Sequence, residues 1–245
     1  FIIGMASIGV YGIMIGGWAS NNKYSLLGAI RASSQMISYE LAMGLALLSI
    51  IMMTGSLDLK EITASQTNGK LWGIIPWVSG LNWNIFYQPI AFLVFFVAAL
   101  AETNRHPFDL PECESELVTG YSTEYSSMKL GFYLFAEYIN MFISSAVMAT
   151  LYFGGYDIIP FYDESAWGFS ANIMALLGAA ALFIKILVFI FIFMWVRWTI
   201  PRFRYDQLMN LGWKGLIPLA LFNMLVTAAV ILFLQHSSLH VQNQF

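Results

Sequence analysis

The sequence predicts an all-α, polytopic transmembrane helix bundle of about six spans, forming a single domain over residues 1–245. Three observations predict this fold class. Of 245 residues, 59% are hydrophobic and only 10% are charged, whereas a soluble domain carries roughly 25% charged residues. Apolar runs long enough to cross a membrane recur along the chain, and basic residues are concentrated in alternate loops between them.

Each apolar run is a candidate span, since a spanning helix needs about 20 mostly apolar residues. The third run is short, and Pro89 lies in its first turn, where proline is tolerated. Because Phe1 already lies inside an apolar run, we expect an N-terminal portion of the protein to precede it. The predicted spans are 1–18, 33–53, 86–102, 130–153, 171–196 and 215–234.

The lysines and arginines predict the orientation of these spans. Eight lie in or beside three alternate loops, whereas the other loops contain only Lys60 and Lys70. Short basic loops face the cytoplasm, which places loops 102–129 and 197–214 there and both ends of the chain on the opposite side. The eight are Lys23, Arg31, Arg105, Lys129, Arg197, Arg202, Arg204 and Lys214.

Composition excludes several kinds of redox site. Cys113 is the only cysteine, so this chain alone cannot build a disulfide framework, a cysteine-ligated zinc site or an iron–sulfur cluster. The net charge of −3 does not indicate a nucleic-acid partner. Any redox centre must therefore be supplied by a partner.

Four ionisable residues lie inside predicted spans, where a charge costs on the order of 3 kcal/mol or more and is a functional candidate by default. They are Glu40, Glu102, Glu137 and Lys185. Each could instead form a structural ion pair or an inter-helix hydrogen bond. Four in one small bundle favour a proton path.

Residue spacing places three of these side chains on defined helix faces. Glu40 shares a face with Ser33, Met36 and Gly44. Glu137 lies on a stripe with Tyr133, Asn140 and Ser144. Lys185 follows Gly178 and Ala181 on one face, where small residues let another helix approach.

The densest acidic segment runs from Glu102 to Glu124, with six carboxylates against Arg105 alone and a net charge of −5 when His106 is neutral. We expect this cytoplasmic loop to bear short helices, because Asp109 and Glu112 fit a capping box. Glu116 lies one helical turn after Glu112, where like charges repel, so the pair is expected to share a proton. An exposed acidic face is the alternative interpretation.

The loop sequence ETNRHPFDLPECESELVTGYSTEYS closely resembles the ETNR-x-PFDLPE-x-ESELV-x-G-x-x-x-EYS loop of one family of respiratory complex I subunits. This is the bacterial H-type family, equivalent to mitochondrial NADH dehydrogenase subunit 1. GWASNNKYSLLGAIRASSQMISYE, AEYINMF and WVRWTIPRFRYDQLMNLGWK are similar to other segments of that family, so the resemblance covers essentially the whole chain. The family begins with further spans and a cytoplasmic loop that line much of its quinone cavity, so we expect part of that cavity to lie outside this sequence.

The resemblance implies a subunit of NADH:quinone oxidoreductase in the bacterial inner (cytoplasmic) membrane, without a prosthetic group of its own. In the family, an iron–sulfur cluster on a peripheral-arm subunit reduces the quinone, ubiquinone or menaquinone. Members of this family supply the tunnel for the quinone tail and the first part of a carboxylate proton path. Their partners are the other membrane-arm subunits and the peripheral-arm iron–sulfur and quinone-site subunits.

Carried over to this chain, the resemblance implies roles for twelve residues. The proton path comprises Glu40, Glu102, Glu112, Glu116 and Glu137. The quinone junction comprises Arg105, Asp109, Glu114 and Glu124. The basic counter-charges are Arg31, Lys185 and Arg197.

Three other functions stay open at this point. A related subunit of a membrane-bound hydrogenase or formate hydrogenlyase is the first, although that family keeps less of the loop pattern. A stand-alone ion transporter predicts activity in the purified chain by itself. A passive scaffold predicts that Glu→Gln substitutions have no effect.

The predicted topology can be tested by labelling single cysteines in a Cys113→Ser background. A cysteine in loop 197–214 should react with a membrane-impermeant reagent from the cytoplasmic side, and Asp163→Cys should react from the opposite side. Labelling of position 163 from the cytoplasm alone would contradict the orientation.

Overall fold

The computed structural model describes residues 1–67, 83–105, 107–108, 120–158 and 170–242. Within these ranges the regular secondary structure is entirely helical, which confirms the all-α prediction. The short helices predicted in the acidic loop, with the capping box of Asp109 and Glu112, lie outside the described residues.

Helices of two kinds make up the described chain: long apolar helices and short connecting ones. Among the described residues, five helical stretches are long and apolar enough to cross a membrane, and a sixth apolar helix, Pro89–Glu102, is shorter. The protein is therefore membrane-embedded and polytopic. The elements are α1 (Ile2–Ala19), α2 (Lys23–Thr54), α3 (Leu59–Thr67), α4 (Asn84–Tyr87), α5 (Pro89–Glu102), α6 (Ser127–Tyr152), α7 (Ala171–Thr199), α8 (Tyr205–Asn210), a π-helical turn (Leu211–Leu216) and α9 (Ile217–Gln242).

The observed helices match the six predicted spans but extend beyond several of them. Helix α2 begins at Lys23, ten residues before the predicted span, and the last span continues back through the π-helical turn to Tyr205. Hydropathy detects only the apolar part of a helix, whereas backbone hydrogen bonding continues into the flanking turns, here past Gly28 in α2 and Gly212 in the π-helical turn. The short third span begins at Pro89, where the missing N–H costs no hydrogen bond.

The chain divides into two compact units, and the long helices contribute segments to both. The first unit comprises residues 1–44, 96–144 and 190–218, and the second comprises 45–95, 145–189 and 219–245. The first contains an apolar cluster of α1, α2 and the segment before α6: Val10, Ile13, Ala29, Ala32, Met36 and Tyr121.

Close approach of two helices fixes the packing of the first unit. A Cβ atom at Gly17 of α1 would lie 2.2 Å from the Cβ of Ala29 and 3.1 Å from the carbonyl oxygen of Ser25. At neighbouring Gly16, the hydroxyl of Tyr125 donates to the backbone carbonyl at 2.7 Å. Helix α1 therefore contacts α2 and the residues before α6 through its backbone.

In the second unit, hydrogen bonds of a buried amide side chain, that of Gln66, join the helices. The Gln66 side chain accepts from the N–H groups of Asn84 and Gly154 and donates to the carbonyls of Thr150 and Leu151. This attaches α3 to α4 and to the end of α6. Phe92, Tyr152, Phe153 and Phe189 form the adjoining aromatic cluster.

Alanine substitution at two glycines of α1 tests the helix contact. Gly17→Ala should lower the free energy of unfolding by about 1–3 kcal/mol because the new methyl group overlaps α2. Nothing lies within 4 Å of a Cβ atom at Gly12, so Gly12→Ala should be neutral or stabilise by about 0.5–1 kcal/mol. Denaturant unfolding of the purified protein in detergent measures both, and equal effects would contradict the contact.

Candidate functional site

The candidate site lies in the first unit, where α5 ends and the acidic loop begins. Glu102, the last residue of α5, is only 7% exposed. Asn104 then adopts a left-handed conformation with φ of 49°, which ends the helix and is tolerated by asparagine. This turn directs Arg105 away from the helix axis. A buried carboxylate and a buried guanidinium therefore lie within four residues of each other.

Arg105 is buried between an acidic and an aromatic side chain of α6. Its Nε atom lies 3.8 Å from Oε2 of Glu137, and its guanidinium carbon lies 4.1 Å from the ring centroid of Tyr138. The first distance is within ion-pair range but too long for a hydrogen bond, and the second is a cation–π contact. The guanidinium of Arg197, in the last turn of α7, is also within electrostatic range of Tyr138.

A second carboxylate belongs to the same group. Glu40 of α2 is half-buried, and its charge interacts with that of Glu102. The preceding residue fixes this part of α2, because the fully buried Tyr39 donates its hydroxyl to the Leu208 carbonyl at 2.9 Å. Its ring also packs edge-on against Phe108. The position of Glu40 is thus set by a rigid neighbour.

The first residues of the acidic loop are held by backbone contacts. Gln35 donates to the Phe108 carbonyl at 2.9 Å, and the Phe203 N–H donates to the Pro107 carbonyl at 3.3 Å. Several buried polar atoms nearby have no hydrogen-bond partner among the described residues, whereas most buried polar groups in proteins do. They are Ser33 Oγ, Gln35 Oε1, Asn104 Oδ1 and Arg105 Nε.

A separate cavity of about 600 Å³ lies beside the start of α6, also in the first unit. Its lining includes Glu124 and Lys129, together with the end of α1. Glu124 is exposed and accepts a hydrogen bond from Asn22 at 2.9 Å. The cavity thus presents an acceptor, a cation and several hydroxyl groups.

Comparison with known protein sequences identifies the family of this chain. A sequence profile described as NADH dehydrogenase matches residues 1–228. The chain belongs to the NADH dehydrogenase family.

Individual relatives are similar over nearly the whole chain. The chain is 61% identical over 235 residues to a protein of Flavobacterium psychrophilum named as the H-type subunit of NADH-quinone oxidoreductase. The match covers 95% of this chain and 64% of that protein. A Cytophaga hutchinsonii protein named as the first H-type subunit of the same enzyme is also 61% identical, and a Rhodothermus marinus protein named NADH-quinone oxidoreductase subunit 8 is 52% identical. The chain spans about 64% of the length of these relatives.

Of the residues that the family resemblance singled out, one group lies together. Glu40 interacts with Glu102 at the end of α5, and Arg105, three residues later, pairs with Glu137, with Arg197 within range of Tyr138. Glu124 and Arg31 are exposed, and Glu124 contacts Asn22 instead of this group. Four predicted residues lie outside the described part of the chain: Asp109, Glu112, Glu114 and Glu116.

One of the three predicted helix faces needs correction. The stripe of α6 is confirmed, since Tyr133, Glu137 and Asn140 are each less exposed than the residue before them and Ser144 is buried. Helix α2 is continuous from Lys23 to Thr54, and the predicted face is buried at Ser33 and Met36 and exposed at Gly44. On α7, the group closest to Gly178 is not a helix but the backbone of Tyr156, whose carbonyl oxygen would lie 3.1 Å from an added Cβ.

Several residues that contact charged or buried polar groups in the structure were not predicted from the sequence. Tyr138 and Asn104 gave no signal because an aromatic residue and an asparagine are common in helices and turns. Gln35 could have been found, since it is an amide in a stretch dominated by small and apolar residues. The buried Asp157 was counted only as a loop charge, although it is 3% exposed.

The contact between Arg105 and Tyr138 can be measured with a double-mutant cycle. Tyr138→Leu removes the aromatic face, whereas Tyr138→Phe retains it. Leucine should therefore lower the free energy of unfolding by about 0.5–2 kcal/mol more than phenylalanine does. The difference should disappear in an Arg105→Met background. A difference of the same size in both backgrounds would show that the ring contributes only packing.

Proposed function

We propose that the protein is a membrane-arm subunit of a proton-translocating NADH:quinone oxidoreductase in the bacterial inner membrane. In this proposal it forms part of the quinone cavity and the first carboxylate proton path. The observation that carries the proposal is that two pairs, Glu40 with Glu102 and Arg105 with Glu137, lie in the first unit with Glu102 and Arg105 buried where the acidic loop begins. The names of its relatives, which contain quinone and oxidoreductase, support the same reaction.

Quinone reduction defines what the site has to do. A quinone takes two electrons and two protons to become a quinol, and negative charge appears on it before the protons arrive. In this proposal the electrons come from an iron–sulfur cluster on a peripheral-arm partner. The substrate is a quinone, either ubiquinone or menaquinone. The proposal assigns the cavity beside Glu124 to the junction, together with Arg105, Asp109 and Glu114.

Arg105 links the buried carboxylates to charge in the acidic loop. A cation that is buried must be balanced by an anion close by, and the nearest carboxylate among the described residues is that of Glu137. When Glu137 takes up a proton, Arg105 is left without this balance and favours a negative charge elsewhere, on Glu102 or in the loop at Glu112 and Glu116. Proton uptake and loop charge are thus coupled.

The energies involved are large enough for pumping. Leaving a buried charge without its partner costs about 3–5 kcal/mol. Moving one charge against a membrane potential of 100 mV stores about 2.3 kcal/mol. One change of partner at Arg105 therefore exceeds the work of moving one charge. Arg31 and Arg197 add positive charge on the same unit.

Buried polar atoms without protein partners support a route between carboxylates that do not touch. Ser33 Oγ and Gln35 Oε1 of α2 and Asn104 Oδ1, two residues after Glu102, are buried and have no partner among the described residues. Such atoms can bind water where space allows, and water molecules transfer protons over distances that two carboxylates cannot bridge. The proposed path therefore runs through α2, α5 and α6.

Replacing Glu102 tests the proposal in the assembled complex of the full-length protein. Glu102→Gln keeps the shape of the side chain and removes its titratable proton. Assembly, judged by co-purification of the partner subunits, should be unchanged. Quinone-linked NADH oxidation should fall at least about tenfold, which corresponds to roughly 1.4 kcal/mol in the barrier. NADH oxidation by an artificial acceptor that takes electrons upstream should persist.

Glu61→Gln is the matched control. Glu61 is an exposed carboxylate of α3 in the second unit and binds the nearby Ser56 hydroxyl. Neither activity should change in this variant. Equal quinone-linked activity in the two variants would remove Glu102 from the path.

A further inference from the structure

Lys185 of α7 has an unusual set of acceptors in the second unit. Its Nζ atom donates to the backbone carbonyls of Phe153 at 2.6 Å and of Gly155 at 3.1 Å. It also donates to the backbone carbonyl of Asp157. These three carbonyls belong to the segment that directly follows α6, so one side chain holds three points of a single turn.

The number of acceptors specifies the protonation state of the lysine. An ammonium group has three N–H donors, whereas a neutral amine has two and a lone pair. Three carbonyls around one nitrogen are therefore satisfied only by the charged form. The carbonyls follow the C-terminus of a 26-residue helix, where the helix dipole also favours a positive charge.

Two further groups complete the surroundings of this cation. The Nζ atom lies 4.5 Å from the ring centroid of Trp83, within cation–π range. The indole N–H of Trp83 donates to Oδ2 of Asp157 at 3.1 Å, and Asp157 is buried. The Trp83 ring thus contacts the ammonium through its face and the buried Asp157 carboxylate through its N–H.

The turn requires this support because its backbone is constrained. Gly154 and Gly155 have φ angles of 70° and 56°, a region that only glycine adopts without strain. The Gly154 N–H donates to Gln66 Oε1 at 2.9 Å. A Cβ atom at Gly154 would lie 2.7 Å from the Trp83 indole nitrogen. The segment 153–158 is therefore a compact turn built around the lysine head group, which we call the carbonyl turn.

We propose that Lys185 is a positioning residue: a permanently charged ammonium that caps α6 and holds the carbonyl turn closed, and not a carrier that gains and loses protons. Releasing its proton would remove one of the three hydrogen bonds and the cation–π contact with Trp83. The assignment goes beyond the proposed function, because it gives this intramembrane cation a fixed role at the end of the helix that carries Glu137.

Hydrogen exchange of the carbonyl turn in the assembled complex tests this role. Lys185→Met keeps the length of the side chain and removes the charge. The amides of Gly154, Gly155 and Asp157 should exchange at least about tenfold faster, because the turn opens more often. Lys185→Arg, which keeps the charge, should restore most of the protection. Lys60→Met is the matched control, since Lys60 is an exposed lysine of the same unit, and it should leave the exchange unchanged.

A second variant keeps the proposal testable if the methionine substitution prevents assembly. Lys185→Ala leaves room for propylammonium, which matches the missing part of the side chain. In this variant the protection of the turn should depend on the amine. Protected amides in Lys185→Met, or in Lys185→Ala without the amine, would overturn the proposal, and so would the failure of propylammonium to restore protection or assembly to Lys185→Ala. The readout involves neither quinone nor proton transport, so its failure and that of the carboxylate path are distinguishable.

Discussion

Local balance of buried charge is the constraint on which both units depend. In a membrane-embedded chain an unbalanced ion costs several kcal/mol, a large part of the stability of a typical domain. In the first unit this constraint is met where Arg105 lies against the Glu137 carboxylate and the ring of Tyr138. The turn after α5 places a cation where an acidic loop begins, and the neighbouring helices provide its partners.

The second unit satisfies the same constraint in a different way. Lys185 is held by three carbonyls of one turn, with Asp157 attached through Trp83. Arg105 lies 3.8 Å from Glu137, which exceeds hydrogen-bond length, and 4.1 Å from the ring centroid of Tyr138, so its described partners act through charge. A cation held by several hydrogen bonds keeps its partners, whereas one held by charge can exchange them. The two sites therefore differ in what they can do, although both are buried cations in a membrane-embedded chain.

The sequence predicted the features that depend on composition and failed for those that depend on backbone geometry. Apolar runs located the helices, and charge inside them located Glu40, Glu102, Glu137 and Lys185, because both signals are properties of single residues. The partners of Lys185 could not be predicted, since backbone carbonyls are present at every position and only the fold selects three of them. Tyr138 and Asn104 were missed because an aromatic residue in a helix and an asparagine in a turn are common and do not by themselves indicate a site. The resemblance of the loop sequence identified the family, but it did not specify that Arg105 contacts Glu137.

Hydrogen-bond satisfaction separates a structural charge from one that can take part in proton transfer. The three N–H donors of Lys185 all have acceptors. Nε of Arg105, by contrast, has no hydrogen-bond partner among the described residues, and neither has Oδ1 of the preceding Asn104. Buried polar atoms without a partner occur in both units, since Asn84 Oδ1 and Tyr152 Oη also lack one in the described part of the chain, and each costs roughly 1–3 kcal/mol. The difference lies in the cation itself: incomplete satisfaction of Arg105 is the physical reason for placing proton transfer at the end of α5 and a fixed charge at the end of α6.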